Sequence, residues 1–320
     1  MILSRVADAL YWMGRYLERS ENITRLLMVT EEMASEVVGL DENLARAEWR
    51  DLQTIFPGPD AQGEPAHDLA ILAHDSLAAL SVDLRHPYSV LFSLKKARDN
   101  ARTVRKALTI EVFVNLNETY RELEAYHGGH RVADQPAFRD ALAATHRGIL
   151  STVGAIEQTL ARDPGWLFLE LGGSLERVYR TAAVLRTKLP ALAAPQQEID
   201  LPLYYSRWRS VLRGLSSFEN YRRVHGARLE SADALQFLIF DPHAPRSLRF
   251  GTAAVKDLLE QISGASELSL PARVIGKLAS ELAYQGEDVL LDGRCLPFLD
   301  HVLGELARTH ETLSATYFGT

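Results

Sequence analysis

"GRYLERSENITRLL" (residues 14–27) returns later in the chain as "GGSLERVYRTAAVL" (residues 172–185). The shared phrase Gly-x-x-Leu-Glu-Arg recurs after 158 positions (172 − 14). Two more anchors keep that spacing. Trp49-Arg50 in "AEWRDL" is answered by Trp208-Arg209 in "SRWRSV", 159 positions on (208 − 49). "DLRHPYSVLF" (83–92) is answered by "DPHAPRSLRF" (241–250), 158 on (241 − 83), with Asp, Pro, Ser and Phe in register. Three collinear anchors at half of a 320-residue chain point to an internal duplication, with halves of approximately 1–160 and 161–320. A unit this long is not a solenoid repeat, whose periods run about 20–50 residues.

Around these anchors nearly everything reads as helix. One long segment runs from Ser4 to about Val38, with Ser4 as a candidate N-cap and Gly39 as a candidate stop. Further helices are expected near 41–55, 66–83, 88–112, 112–126, 135–161, 165–189, 202–225, 230–240, 245–263, 270–288 and 296–316. The prolines fall between these segments or in their first turns, so no helix interior is expected to contain one. The β-branched run "TIEVFVNL" (109–116) is the one candidate strand. The expected fold is all-α: a single domain over 1–320, a helical bundle of two pseudo-two-fold-related halves facing each other.

On a wheel of roughly 100° per residue, Tyr11, Gly14, Arg15, Glu21, Asn22 and Arg25 lie within about 60° of Glu18. That face alone reads as a solvated charged stripe. The second copy changes the reading. Around Glu176 the face carries Leu169, Gly172, Gly173, Tyr179, Arg180 and Ala183, too apolar for plain solvent. Burial of both glutamates in an inter-helix groove is therefore expected, and a buried carboxylate must be paired and hydrogen-bonded. Arg25, Arg180 or an arginine from another helix would serve. "KKARDNARTVRK" (95–106) offers Arg98, Arg102 and Arg105 on one stripe, with Asn100 nearby. Such a cluster makes a structural network or an anion site. "PRSLR" (245–249) adds Arg246 at an expected helix start.

Net charge of −7 disfavours nucleic-acid binding. No apolar run reaches the ~18 residues of a membrane helix, and charges arrive early at the N-terminus. The single cysteine, Cys295, excludes an internal disulfide and reads as a packed residue, and a cytoplasmic setting is expected. Gly-rich nucleotide loops and His-Glu-x-x-His are missing, so no cofactor and no metal are expected. His67 and His74 share a face but lack further ligands, and "HGGH" (127–130) reads as a turn.

Four blocks, "MILSRVADALYWMGRYLERSENITRLL", "ARDNARTVR" followed by "NLNETY", "LGGSLERVYRTAAVL" and "PRSL", together resemble the bacterial alpha-E proteins, an all-helical family named for a Glu-Arg motif. The resemblance spans nearly the whole chain. It implies signature residues at Glu18 and Arg19, at Arg98, Asn100 and Arg102, and at Glu176 and Arg177. Asp99 stands where many members carry glutamate. It also implies an association with circularly permuted ATP-grasp proteins and transglutaminase-like proteins, hence a role in ATP-dependent amide- or peptide-bond formation.

Two functional expectations follow. One is a non-enzymatic helical partner that binds the ligase, or an anionic peptide-like ligand, through a groove lined by Glu18, Arg19, Asn22, Arg25, Arg98, Asn100, Arg102, Glu176, Arg177, Arg180 and Arg246. The other is an amide- or peptide-modifying enzyme with Glu18 or Glu176 as general base and an arginine anion clamp.

Overall fold

The long apolar-periodic segment at the N-terminus folds as α1 (Ser4–Val37). In the computed structural model, which describes residues 3–59, 68–127, 135–192, 201–264, 268–290 and 293–319, twelve more α-helices follow and no strand occurs among the described residues. They are α2 (Glu42–Ile55), α3 (Leu69–Val82), α4 (Val90–Thr103), α5 (Ile110–Glu124), α6 (Gln135–Thr159), α7 (Pro164–Leu192), α8 (Leu201–Gly214), α9 (Phe218–His225), α10 (Ser231–Phe240), α11 (Leu248–Ser263), α12 (Leu270–Tyr284) and α13 (Cys295–Leu313). The chain divides into two compact units, Trp12–Trp166 and Leu167–Thr320, the second also taking in Met1–Tyr11.

In the unit Trp12–Trp166, α2 packs on α3, α3 on α4, α4 on α5 and α5 on α6. Helix α1 meets α4 where the Tyr16 ring stands edge-on to Phe92, and α6 where Arg139 reaches Glu31 at 2.7 Å. From Tyr11 to Thr30 α1 is buried around almost its whole circumference. Apolar side chains such as Leu17, Ile23 and Leu27 fill one side, while polar groups face inward on the other.

In the unit Leu167–Thr320 the neighbours run α8, α10, α11, α12, α13, with α9 added beside α8 and α10. Helix α7 packs on α11 through a close approach at Gly251. A Cβ there would lie 2.2 Å from Val178 Cγ2. Thr181 Oγ1 of α7 donates to the Arg246 carbonyl at 3.1 Å, just ahead of α11. Arg186 reaches Asp300 on α13 at 2.9 Å.

The repeated Asp-to-Phe stretch folds the same way in each unit. Asp83 and Asp241 end α3 and α10, and their Oδ1 atoms accept the amides of Arg85 and His243 at 2.9 and 2.7 Å. Ser89 and Ser247 then cap α4 and α11, both with ψ 153°, and accept the amides of Phe92 and Phe250 at 3.0 Å. This satisfies one orphan donor of each new helix. Trp49 and Trp208 are both buried in α2 and α8. Helix starts keep the spacing as well: α7 follows α1 by 160 (164 − 4), α11 follows α4 by 158 (248 − 90), and α12 follows α5 by 160 (270 − 110).

Several expected boundaries are corrected. The span 88–112 is not one helix. It breaks at Val104 (φ −110°, ψ 27°), makes a 3₁₀ turn over Arg105–Ala107, and restarts at Ile110, so that α4 and α5 pack on each other. "TIEVFVNL" is helical, with Val112 and Leu116 inward at i, i+4 and Ile110 and Val114 outward. The span 202–225 splits at Ser216, whose φ of +51° ends α8 before α9 begins. Pro190 lies inside α7, where its missing N–H forfeits one helical hydrogen bond. Gly39 does not take positive φ; α1 stops through amides of Leu40 and Asp41 donating to the Val37 carbonyl. Helix α12 stops at Tyr284, ahead of a 3₁₀ turn over Glu287–Leu290.

The Gly251 contact gives a direct test. Gly251→Ala forces Val178 or the α7–α11 spacing to shift and is expected to destabilise by about 1–3 kcal/mol. Gly154→Ala, in the open interior of α6 with nothing within 4 Å of its Cβ, is expected to stabilise by up to about 1 kcal/mol. Urea denaturation of both variants checks this; equal midpoint shifts would remove the packing argument for Gly251.

Candidate functional site

Two polar stripes, one in each unit, hold most of the residues singled out by the sequence. On α7 the Glu176 carboxylate is fully buried (0 % exposed) and accepts from Arg180 Nε at 2.9 Å, one turn on. Arg180 is itself 3 % exposed and lies over the Tyr179 ring at 5.4 Å. Their i, i+4 spacing, Glu first, is the favourable order on a helix. Arg177, adjacent to Glu176, points about 100° away and is half-buried.

On α1 Glu18 is 7 % exposed, and its Oε1 accepts from Asn22 Nδ2 at 2.8 Å. Asn22 also donates to the Glu18 carbonyl at 2.8 Å, and its Oδ1 accepts from Arg25 at 2.8 Å. Arg25 pairs in turn with Glu21 Oε1. The same Glu21 oxygen meets His146 Nε2 of α6 at 3.0 Å. The result is a continuous chain, Glu18–Asn22–Arg25–Glu21–His146, four of whose members lie on one helix face. Arg15, on that face as well, is buried.

Arg19 leaves the stripe. Its guanidinium stacks over Tyr16 at 5.1 Å and Tyr88 at 5.4 Å, a cation–π clamp between α1 and the segment ahead of α4. Tyr88 is set by the buried His86, whose Nδ1 accepts the Tyr88 amide at 3.2 Å. Burial holds the His86 imidazole below its ordinary value, and the Asp83 charge offsets part of that. Asp83 is itself lowered, chiefly by the side-chain hydrogen bond from Arg85.

The arginines of α4 form a separate group. Arg98 Nε donates to Asn117 Oδ1 of α5 at 2.7 Å and lies 4.6 Å over the Tyr120 ring. The Tyr120 hydroxyl, pushed up to about 12 first by burial and then by its hydrogen bond to Glu124, stays protonated. Arg102 is exposed and 4.0 Å from Asp99. Asn100 is half-buried between them on the helix, its carbonyl accepting the Val104 amide. So the structure ties the "ARDNARTVR" and "NLNETY" blocks together through Arg98–Asn117, while Arg98 and Arg102 reach neither Glu18 nor Glu21. Arg246 is half-buried, and its carbonyl serves Thr181.

Glu21, His146, Asn117, Tyr120 and Tyr88 were missed as site residues. The wheel did place Glu21 beside Glu18. The others sit on different elements, and no spacing rule links position 21 to position 146.

Residues 2–318 match the Alpha-E family, described as a predicted alpha-helical domain with a conserved ER motif. The chain belongs to the Alpha-E family. Uncharacterized proteins of Mycobacterium bovis and Mycobacterium tuberculosis are 28% identical over 292 residues, which is 87% of this chain and 32% of theirs. This Alpha-E chain thus spans about a third of the length of those curated relatives. No solved structure matches.

The ER dipeptides of the Alpha-E chain are Glu18-Arg19 and Glu176-Arg177. Their geometry explains the pairing of residue types. The glutamate turns into the protein and accepts from position i+4, and on α1 the arginine clamps tyrosines. Among the described residues no group of three or more His, Cys, Asp or Glu side chains is arranged to hold a metal, and no helix is long and apolar enough to cross a membrane. Cys295 is buried, and burial pushes its thiol up to about 11. His127 Nδ1 meets the Val82 carbonyl at 2.9 Å, while His67 and residues 128–130 lie outside the described residues.

Removing one partner of a buried ion pair leaves an uncompensated charge. Arg180→Ala is expected to destabilise by about 3–5 kcal/mol, and Glu176→Leu with Arg180→Met to recover most of that loss. A double variant no more stable than Arg180→Ala in urea unfolding would contradict this. His86 supplies a pH test. A depressed folded value means its stabilisation is present above the unfolded value of about 6.5 and is lost as pH falls through the folded one. His86→Asn keeps an acceptor for the Tyr88 amide. Its stability is expected to fall less steeply than the parent's between about pH 7 and 5; parallel profiles would show that His86 does not carry the effect.

Proposed function

We propose that this chain is a non-catalytic binding component of an amide- or peptide-ligating system. Its partner in that reading is a circularly permuted ATP-grasp protein, with a transglutaminase-like protein as a further component. We also infer that its two units arose by duplication, supported by the shared helix spacing and by the two matching Asp–Ser caps.

The observation that carries the binding reading is where the motif glutamates direct their oxygens. Glu176 is fully buried in a pair with Arg180, and Glu18 is engaged by Asn22. A general base must lie within hydrogen-bond reach of a substrate proton. A carboxylate with no exposed surface and a guanidinium on its oxygen is poorly placed for that, so the ER motif reads as a device that sets helix α1 and helix α7. Mycobacterial relatives about three times as long support a protein partner. They carry the matching region within a longer polypeptide, whose remainder leaves room for a partner domain. Arg102, exposed on α4, and the half-buried Arg19, Arg98, Arg177 and Arg246 supply cationic groups for an anionic surface or peptide.

A second reading rests on one observation. His146 takes its orientation from Glu21, and its side chain keeps 23% of its surface exposed. With Nε2–H donated to the carboxylate, Nδ1 holds the free lone pair, the arrangement of a base oriented by an acid. In an amide- or peptide-modifying enzyme the proton acceptor would then be His146, in place of Glu18 or Glu176.

Mixing the purified chain with a circularly permuted ATP-grasp protein of the same organism is expected to give a stoichiometric complex by size exclusion and calorimetry. His146→Ala is expected to leave both the complex and any ligation by the pair unchanged. No association at micromolar concentrations would end the partner reading. Ligation abolished by His146→Ala with the complex intact would replace it with the enzymatic one.

A further inference from the structure

Away from the ER stripes, the unit Trp12–Trp166 holds a cavity of about 560 Å³ where the end of α1, the start of α2, the start of α3 and α6 converge. That volume is in the range of small-molecule sites. Its inner wall is apolar, formed by Trp49, Leu77 and Ala34, and Trp49 and Leu77 are fixed in the core. The outer wall is charged and unbalanced. Glu31, Glu42 and Asp68 line it with the guanidinium of Arg139, and Glu42 is also paired with Arg46 of α2, so among the described residues one negative charge, that of Asp68, is left over (three minus two).

The charged groups are held in place by ion pairs and a helix cap, and of the three carboxylates Asp68 keeps its charge unpaired by a cation. Glu31 and Arg139 pair at 2.7 Å and cancel each other. Asp68 caps α3 through one oxygen, Oδ1, which takes the amides of Ala70 and Ile71 at 2.8 and 3.2 Å. Glu42 meets Arg46 at 2.7 Å on the helix surface and stays exposed. The His74 ring, half-buried in the wall, has no hydrogen-bond partner among the described residues, so its nitrogens are open to a ligand. An apolar floor with a carboxylate mouth and one open imidazole matches a ligand with an apolar body and a protonated amino group. Anions meet the Asp68 carboxylate, which has no cationic partner among the described residues, and a neutral ligand forgoes the charge interaction.

We propose that this cavity binds a small primary amine with an apolar body, the body against Trp49 and Leu77 and the ammonium at Asp68 and Glu42. The site is separate from the ER stripes and does not depend on the partner reading above.

Three probes of one shape separate the contributions: phenethylamine, 2-phenylethanol and phenylacetate. Binding is followed in the full chain through the Trp49 indole and His74 ring resonances, each assigned by substitution. Phenethylamine is expected to shift both saturably below about 10 mM, about five- to tenfold tighter than the alcohol, with phenylacetate weakest. Asp68→Asn keeps an N-cap residue and Glu42→Gln keeps the size, so the double variant is expected to fold and to lose the amine preference. Added salt should narrow the preference in the parent and leave the double variant unmoved. Equal affinity for amine and alcohol overturns the proposal. So does tighter binding of phenylacetate, an amine preference that survives Asp68→Asn with Glu42→Gln, or no saturable shift of either resonance.

Discussion

A carboxylate inside a protein must be met by donors or it will not remain charged there. That requirement shapes both long helices of this chain. Glu176 has no exposed surface, and its answer lies one turn along the same helix, in Arg180. Glu18 is answered from the same relative position by Asn22. Because the donor sits at i+4, each helix satisfies its glutamate locally. The apolar side of α1 is then free to pack as an ordinary core helix, with Leu17, Ile23 and Leu27 buried beside the charges.

The two solutions differ in charge, and the difference propagates. Arg180 neutralises Glu176 directly. Asn22 satisfies a lone pair of Glu18 but adds no charge, so its carbonyl oxygen is turned to Arg25. Arg25 also meets Glu21, which extends to His146 on α6. On α1 these contacts run on as a network, and on α7 Glu176 and Arg180 meet directly. At the positions that match Glu21, Asn22 and Arg25 after 158 residues, the later unit has Tyr179, Arg180 and Ala183.

Much of this was legible from residue order. Helical periodicity, Ser and Asp caps and the punctuation of Pro and Gly yield an all-α chain whose helix limits fall close to those observed. The buried state of Glu18 and Glu176 was expected from the apolar company of Glu176, and both are buried. The break at Val104 lacks a proline or glycine and was harder to see; there the backbone leaves the helix, and α4 packs on α5. Helix α8 ends at Gly214, and the positive φ of Ser216 follows before α9 begins. Pro190 is the converse case, a helix breaker that stands inside α7. The site was legible along α1, where wheel geometry relates neighbours. It was illegible across helices, where Glu21 meets His146 and Arg98 meets Asn117.

The order of the two letters in the ER motif has a physical meaning. Consecutive helix residues point about 100° apart, so one of the two must leave the face the other enters. Glutamate is the shorter chain and accepts from many directions, which suits a tight interior with an i+4 donor. Arginine is longer and planar, and its guanidinium stacks on aromatic faces with less desolvation than an ammonium would suffer. Arg19 does this between Tyr16 and Tyr88. Tyr88 belongs to the turn that His86 and Ser89 shape ahead of α4. One dipeptide thus fixes the helix twice: inward through a carboxylate satisfied by its own turn, and sideways through a cation held on rings from another segment. Exchanging the letters would bury the longer cation without a carboxylate and leave glutamate against the negative faces of two tyrosines. Neither environment would accept its new occupant, so the motif is directional.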